Sequence, residues 1–210
     1  MATHTANPTD GPSADQALAR LIAGNERFVR GESRLAGDSV KSLSDLAKGQ
    51  RPYATILGCS DSRVPPEWVF DAGLGELFVI RVAGNVFSPE VAGSMQYAGA
   101  HLHTPLIVVL GHEGCGAVGA ALDTIQAGAL HQSRIQILVE GIVPGLPAFD
   151  PLHSREQRLA LAVESNVRWT AKQIRATPEA RARTAEGRLK IVGAVYEIES
   201  GRVRLLPEQT

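Results

Sequence analysis

Four short apolar runs constrain this chain more than any other feature: YATILG (53–58), LFVIRV (77–82), LIVVLG (106–111) and KIVGAVYEI (190–198). Each is rich in β-branched residues and apolar at consecutive rather than alternate positions. Strands of that kind are buried on both faces. The segments between them have helical spacing. Ser88-Pro89-Glu90 is a helix start with proline at its first position, and Val91, Met95, Ala98 and Leu102 form the buried stripe that follows. Val118, Ala121, Leu122 and Ile125 mark another helix, and Leu161 to Ile174 a long one. Such alternation predicts an α/β fold, a mostly parallel β-sheet flanked by helices. The last run turns at Ser200-Gly201 into RVRLL, which predicts an antiparallel edge hairpin at the C-terminus.

Upstream, Ser13-Ala14-Asp15-Gln16 is a capping-box pattern, and Ala14, Ala17, Leu18, Leu21 and Ile22 follow at helical spacing. An N-terminal helical arm ending near Gly31 is expected. Residues 1–12 are polar, without the cationic start or apolar core of a secretory signal, and read as a flexible arm. Residues 13–210 are then a single α/β domain. No stretch approaches the ~18 consecutive apolar residues of a membrane span, so no membrane association is expected. The 21 Lys and Arg balance 22 Asp and Glu, and a net charge of −1 gives no attraction for nucleic acid. The basic stretch EARARTAEGRLK is interleaved with Glu and reads as a solvated helix face and loop.

Cys59 and Cys115 are the only cysteines. Without a leader, and in a chain large enough to need no staple, they are expected as free thiols in a reducing, cytoplasmic setting. Open α/β sheets gather their chemistry beyond the carboxyl ends of strands, and both cysteines fall there. The first run ends in GCSDSR, with Cys59, Asp61 and Arg63; the third ends in GHEGC, with His112 and Cys115. Adjacent parallel strands would bring Cys59 beside His112 and Cys115. Two thiolates and an imidazole are a zinc set with a fourth position open, and sulfur with imidazole selects zinc over magnesium, calcium or manganese. One Zn2+ per chain is expected. Asp61 and Arg63 are spaced to pair, either as a surface ion pair of little weight or as a fork that competes with the metal for the carboxylate.

A rival reading attaches to the same stretch. Gly114, Gly116 and Gly119 spell G-x-G-x-x-G, and Glu140 stands 21 residues beyond Gly119, as in a dinucleotide site. Yet Gly111, His112 and Glu113 intervene between the strand and Gly114, and too little chain follows for a substrate domain. Gly114 and Gly116 are better explained as giving Cys115 room to approach a metal from a helix start, which also lowers a thiol pKa.

These residues closely resemble the β-class carbonic anhydrases. The resemblance rests on C-x-D-S-R at Cys59–Arg63 and H-x-x-C-G at His112–Gly116. It extends through FDAGLGELFVIRVAGNV (70–86), GSMQYAGAHL (93–102) and IVGAVYEIESGRV (191–203). It implies reversible hydration of carbon dioxide to bicarbonate and a proton by zinc-bound hydroxide, with Cys59, His112 and Cys115 as zinc ligands and Asp61 and Arg63 as the catalytic pair. It further implies substrate contacts from Gln50, Phe78, Tyr97 and the Gly116 N–H. The first three would come from the neighbouring subunit, so a homodimer, or a dimer of dimers, places active sites at the subunit interface. Tyr97 falls off the apolar stripe of its helix, which agrees. Some members carry a bicarbonate pocket built on a tryptophan three residues before the first cysteine; Ile56 stands there, although Arg81 matches the pocket's arginine. Gln96 and Val82 replace a usual glutamate and asparagine.

Three other readings stay open at this point: hydrolysis of a related linear substrate such as carbon disulfide, a non-catalytic zinc-stabilised interaction module, and a dinucleotide-binding oxidoreductase. The Asp61/Arg63 pair and the lack of a second domain favour the carbonic anhydrase reading.

Overall fold

The computed structural model describes residues 11–34 and 43–207. A five-stranded sheet is built from β1 (Ala54–Gly58), β2 (Leu77–Arg81), β3 (Leu106–His112), β4 (Lys190–Tyr196) and β5 (Val203–Leu205), in the order β2-β1-β3-β4-β5. The β1–β2, β1–β3 and β3–β4 pairs are parallel, and β4–β5 is antiparallel. The mostly parallel sheet with its C-terminal hairpin is therefore the fold that the alternating pattern predicts. Every residue of β1 and β3 is buried, whereas the edge strand β2 is only partly so.

The helices are α1 (Ala14–Val29), the single turns α2 (Leu43–Leu46) and α3 (Pro66–Val69), α4 (Pro89–His101), α5 (Gly116–Ala127), α6 (Ile135–Ile142), α7 (Arg155–Ala176) and α8 (Pro178–Ala185). Ala17 and Leu21 of α1 pack with Val69, Phe70 and one face of the sheet. Residues of α4 to α8 pack against the other face. The capping box forms as expected: Gln16 N–H donates to Ser13 Oγ at 3.2 Å, and Ser13 N–H to Gln16 Oε1 at 2.8 Å. The expected arm of residues 1–12 falls mostly on residues 1–10, which lie outside the described residues.

Three details depart from the periodicity. Ile22 and Ile125, expected in buried stripes, are 41% and 45% exposed. Leu102 is the C-cap of α4 rather than a core residue, and Gly99 is buried in that helix. Neither α3 nor α6 is among the helices that the spacing predicts, although IQILVEGI is apolar along one side; α8 occupies the basic stretch read as a solvated helix face and loop, in agreement.

Two polar groups tie the layers together. Asn25 Nδ2 donates to the carbonyls of Val69 (3.0 Å) and Gly201 (2.9 Å), and its Oδ1 accepts from Val203 N–H (2.9 Å). One buried amide thus joins α1, the α3 turn and the C-terminal hairpin. Asp71, buried and at φ +44°, accepts from Arg27 Nε (2.6 Å), Ser33 Oγ (2.6 Å) and Arg34 N–H (2.7 Å).

Candidate metal centre

The β1–β3 ladder fixes the site. Gly58 lies opposite Leu110, so Cys59 emerges beside Gly111 and His112 at the carboxyl ends of adjacent strands, whose spacing is about 4.8 Å. The chain turns at Gly114 (φ +64°) and enters α5 with Cys115 as its N-cap. This turn bends Cys115 back over the strand ends. The donor atoms of Cys59, His112 and Cys115 all lie within 4.8 Å of one another, and all three residues are buried. The glycines therefore serve the cysteine, and the dinucleotide reading falls: Glu140 sits within α6, not at a strand end.

The donor set fits zinc. Tetrahedral coordination at about 2.3 Å per thiolate places two sulfurs about 3.8 Å apart, and the Cys59 and Cys115 sulfurs are 4.0 Å apart. His112 Nδ1 lies 2.9 Å from the Glu113 carbonyl. A carbonyl can only accept, so Nδ1 carries the proton and Nε2 keeps its lone pair. That Nε2 is buried and has no hydrogen-bond partner among the described residues. A backbone carbonyl orienting an imidazole in this way is typical of a metal-ligating histidine.

Electrostatics separate the two thiols. Hydrogen bonding from Cys115 and, against burial, from the Gly84 N–H pushes the Cys59 thiol below its ordinary value. Cys115 is pushed up by its hydrogen bond to Cys59, by burial and by the Cys59 charge. The amides of Ala117 and Val118 at the start of α5 do act downward, as a helix start should, but the neighbouring thiolate outweighs them. The helix start thus acts on Cys115 in the direction that the sequence predicts, against the opposing charge of Cys59. A divalent cation compensates both sulfurs at once.

Asp61 stands at the mouth. Arg63 grips both its oxygens, Nε to Oδ1 at 3.0 Å and Nη2 to Oδ2 at 2.8 Å, and Arg63 N–H adds a third bond at 3.0 Å. The Arg63 bonds hold the carboxyl well below the usual carboxylate range despite partial burial. Arg81, at the end of β2, donates to the carbonyls of Cys59 (2.9 Å) and Asp61 (2.5 Å), so it braces the ligand loop. Ile56 is fully buried beneath α1. Gly116 is the first residue of α5, where N–H groups lack intrahelical acceptors.

Gln50, Phe78 and Tyr97 lie elsewhere in the same chain. Phe78 pairs with Thr55, four residues before Cys59, or about 13 Å along the strand. Its ring lies 6.1 Å from that of Tyr97, which is 48% exposed and stacks on His101 at 4.9 Å. Gln50 is exposed ahead of β1. Sequence reasoning passed over Gly84, whose N–H donates to Cys59 Sγ at 3.3 Å, and Asn166, which holds the Gly84 carbonyl at 2.8 Å. A signal for Asn166 existed: it interrupts the apolar stripe of the longest helix.

Comparison with known proteins agrees with this geometry. The family model described as "Carbonic anhydrase" matches residues 54–203. Carbonic anhydrase 2 of Mycobacterium tuberculosis is 42% identical over 206 residues, covering 94% of each chain. A carbonic anhydrase of Mycolicibacterium smegmatis is 38% identical, covering 94% of this chain and 95% of its own. Among solved structures, the β-carbonic anhydrase CcaA superposes with a TM-score of 0.71 at 28% identity, covering 90% of this chain and 94% of its own. A tetrameric β-carbonic anhydrase of Sordaria macrospora gives 0.72 at 25% identity, covering 91% and 97%. The chain belongs to the carbonic anhydrase family, in its β class.

Proposed function

We propose that this chain performs its family's reaction, the reversible hydration of carbon dioxide to bicarbonate and a proton, on one zinc held by Cys59, His112 and Cys115. The observation that carries the ligand assignment is the convergence of three buried donor atoms within 4.8 Å, one of them an orphaned imidazole nitrogen. Zinc bound there supplies a Lewis acid that makes water nucleophilic near neutral pH.

The chain's own residues do the rest. Asp61, kept ionised by Arg63, is an acceptor beside His112 Nε2, with Oδ2 3.8 Å from it. In that position it takes a hydrogen bond from the attacking water and aims the water's lone pair. Arg63 keeps the carboxylate off the metal. The Gly116 N–H points a donor toward one substrate oxygen.

The substrate is small and apolar, so its pocket needs an apolar wall. Phe78 and Tyr97 supply that wall from a second copy, with the Gln50 amide of that copy near one substrate oxygen, since in one chain Phe78 stands about 13 Å along the strand from Cys59. The half-exposed Tyr97 beside the edge strand β2 is the surface through which two copies meet, in a homodimer or a dimer of dimers. Both cysteines are free and buried, which suits a reducing compartment such as the cytoplasm. No helix among the described residues is long and apolar enough to cross a membrane.

The test is metal analysis paired with turnover. Zinc at one per chain, with carbon dioxide hydration lost in Cys59→Ser together with the zinc, is the expected result. Hydration that survives zinc removal would refute it.

A further inference from the structure

Asn166 lies on the sheet-facing side of α7 and is 1% exposed, among Ala162, Val163, Val167 and Ala171. A buried amide costs free energy unless its hydrogen bonds are made. Its Nδ2 donates to the Gly84 carbonyl at 2.8 Å. One turn further on, Thr170 Oγ1 donates to the Asn85 carbonyl at 3.2 Å. Those two carbonyls belong to a tight loop with left-handed backbone at consecutive residues, Gly84 at φ +69° and Asn85 at φ +43°. Asparagine tolerates the left-handed region better than other side chains do, and the Thr170 contact holds Asn85 there. The loop is also closed in from the other side: a Cβ on Gly84 would stand 2.8 Å from Ile142 Cδ1 and 3.1 Å from Ala117 Cβ. What this clamp presents to the site is a single N–H, that of Gly84, on Cys59 Sγ.

We infer that Asn166, with Thr170 as a second hold, is a positioning residue for the metal centre: by holding the Gly84 carbonyl it fixes the backbone of the 84–85 turn, so that the Gly84 N–H in the preceding peptide group stays on the Cys59 sulfur. The inference rests on the reading of Cys59 as a metal ligand. An N–H···S bond sets the direction of the Cys59 side chain and withdraws charge from its sulfur. Asn166→Ala leaves the Gly84 carbonyl without its donor, the loop is freed to leave the left-handed region, and Cys59 loses both effects. Groups hydrogen-bonded to a metal ligand commonly govern metal affinity by about 10- to 100-fold, and Asn166 acts one contact further out, through Gly84.

The test uses the full chain as wild type, Asn166→Ala, Thr170→Val and Ile174→Ala, with two readouts independent of turnover. These are zinc affinity by chelator competition and the thiolate-to-metal charge-transfer band of the cobalt(II)-loaded protein. Asn166→Ala is expected to bind zinc about 10-fold more weakly, the lower end of the range for loss of a group bonded to the ligand itself, and to shift the band. Thr170→Val moves both in the same direction by less, and carries the test if Asn166→Ala does not fold. Ile174→Ala removes buried apolar atoms two turns along the same helix, so it lowers stability and leaves affinity and band unchanged. An unchanged affinity and band in Asn166→Ala, or equal changes in Ile174→Ala, overturns the inference while the ligand assignment stands. A wild-type chain that takes up no zinc overturns both, and so separates the two failures.

Discussion

The Asp61 carboxylate is held by two parallel bonds from Arg63 while its Oδ2 stands 3.8 Å from His112 Nε2. One carboxylate is therefore shared between a cation that keeps it in place and the ring nitrogen that faces the metal position. Its side chain is 19% exposed, and the Arg63 side chain 55%, so the pair contributes little to stability and its value is positional. Asp61→Ala is expected to retain zinc at one per chain and to lose at least about 100-fold in turnover. Turnover near the wild-type value in a zinc-loaded Asp61→Ala protein would remove Asp61 from the mechanism.

Arg63→Ala frees the same carboxylate. Asp61 is then drawn to the metal and occupies the position that water needs. The expected outcome is intact zinc content with activity depressed, and partial rescue by Arg63→Lys, which restores the charge without the fork. Wild-type activity in Arg63→Ala would show that nothing holds Asp61 away from the metal or that nothing needs to.

Asp71 offers a test of stability rather than catalysis. Burial opposes its ionisation, but the bonds from Ser33, Arg27 and the Arg34 N–H outweigh burial and hold it well below the usual carboxylate range. A folded-state pKa below the unfolded value means stability present above about pH 4 and lost as pH falls further. Asp71→Asn keeps the shape, and asparagine tolerates the positive φ, so the substitution isolates the charge. It is expected to cost about 1–3 kcal/mol in urea unfolding at pH 7, with the difference from wild type shrinking below pH 4. A difference that is constant from pH 7 to pH 3 would contradict this account.

Gly111 separates β3 from α7 next to His112. A Cβ there would lie 2.5 Å from Val167 Cγ2 and 3.4 Å from Val163 Cγ1. Gly111→Ala should destabilise by about 1–3 kcal/mol through overpacking, and Val167→Ala should be less harmful in that background than alone. Additive losses in the double-mutant cycle would show that the two groups do not compete for the same space.

The subunit interface is tested at Tyr97. Tyr97→Glu places a charge on the exposed aromatic patch with Phe78 and is expected to yield monomers by analytical ultracentrifugation, with zinc retained and turnover lost. A fully active monomer would refute the shared active site.

How much of this was legible in the sequence follows from which physical signals are local. The strands β1 and β3 are apolar at consecutive positions because neighbouring strands and helices cover them completely, so their place in the sheet centre could be read directly. Cys59, Asp61, Arg63, His112 and Cys115 could be read as a site because strand ends of a parallel sheet converge. Ile22 and Ile125 misled, since helical periodicity registers apolar spacing and not whether a neighbour is there to cover it. The downward pull of the helix start on Cys115 is local and could be read, while the opposing coupling to Cys59 arrives from 56 residues away in sequence. Gly84 and Arg81 act on the ligand loop through backbone N–H and carbonyl groups, which no residue pattern encodes, and Asn166 is marked only by the break that it makes in the apolar stripe of α7.

The most direct test of the central claim is the initial rate of carbon dioxide hydration by the purified, zinc-analysed chain at pH 8.5, beside Cys59→Ser. Two thiolates offset the metal's charge, so activity is expected to rise toward alkaline pH, and this condition favours a metal free of Asp61. Fast hydration with one zinc per chain, both lost in Cys59→Ser, is the predicted result. One zinc per chain without hydration would contradict the proposed reaction and leave another small linear substrate or a structural metal site.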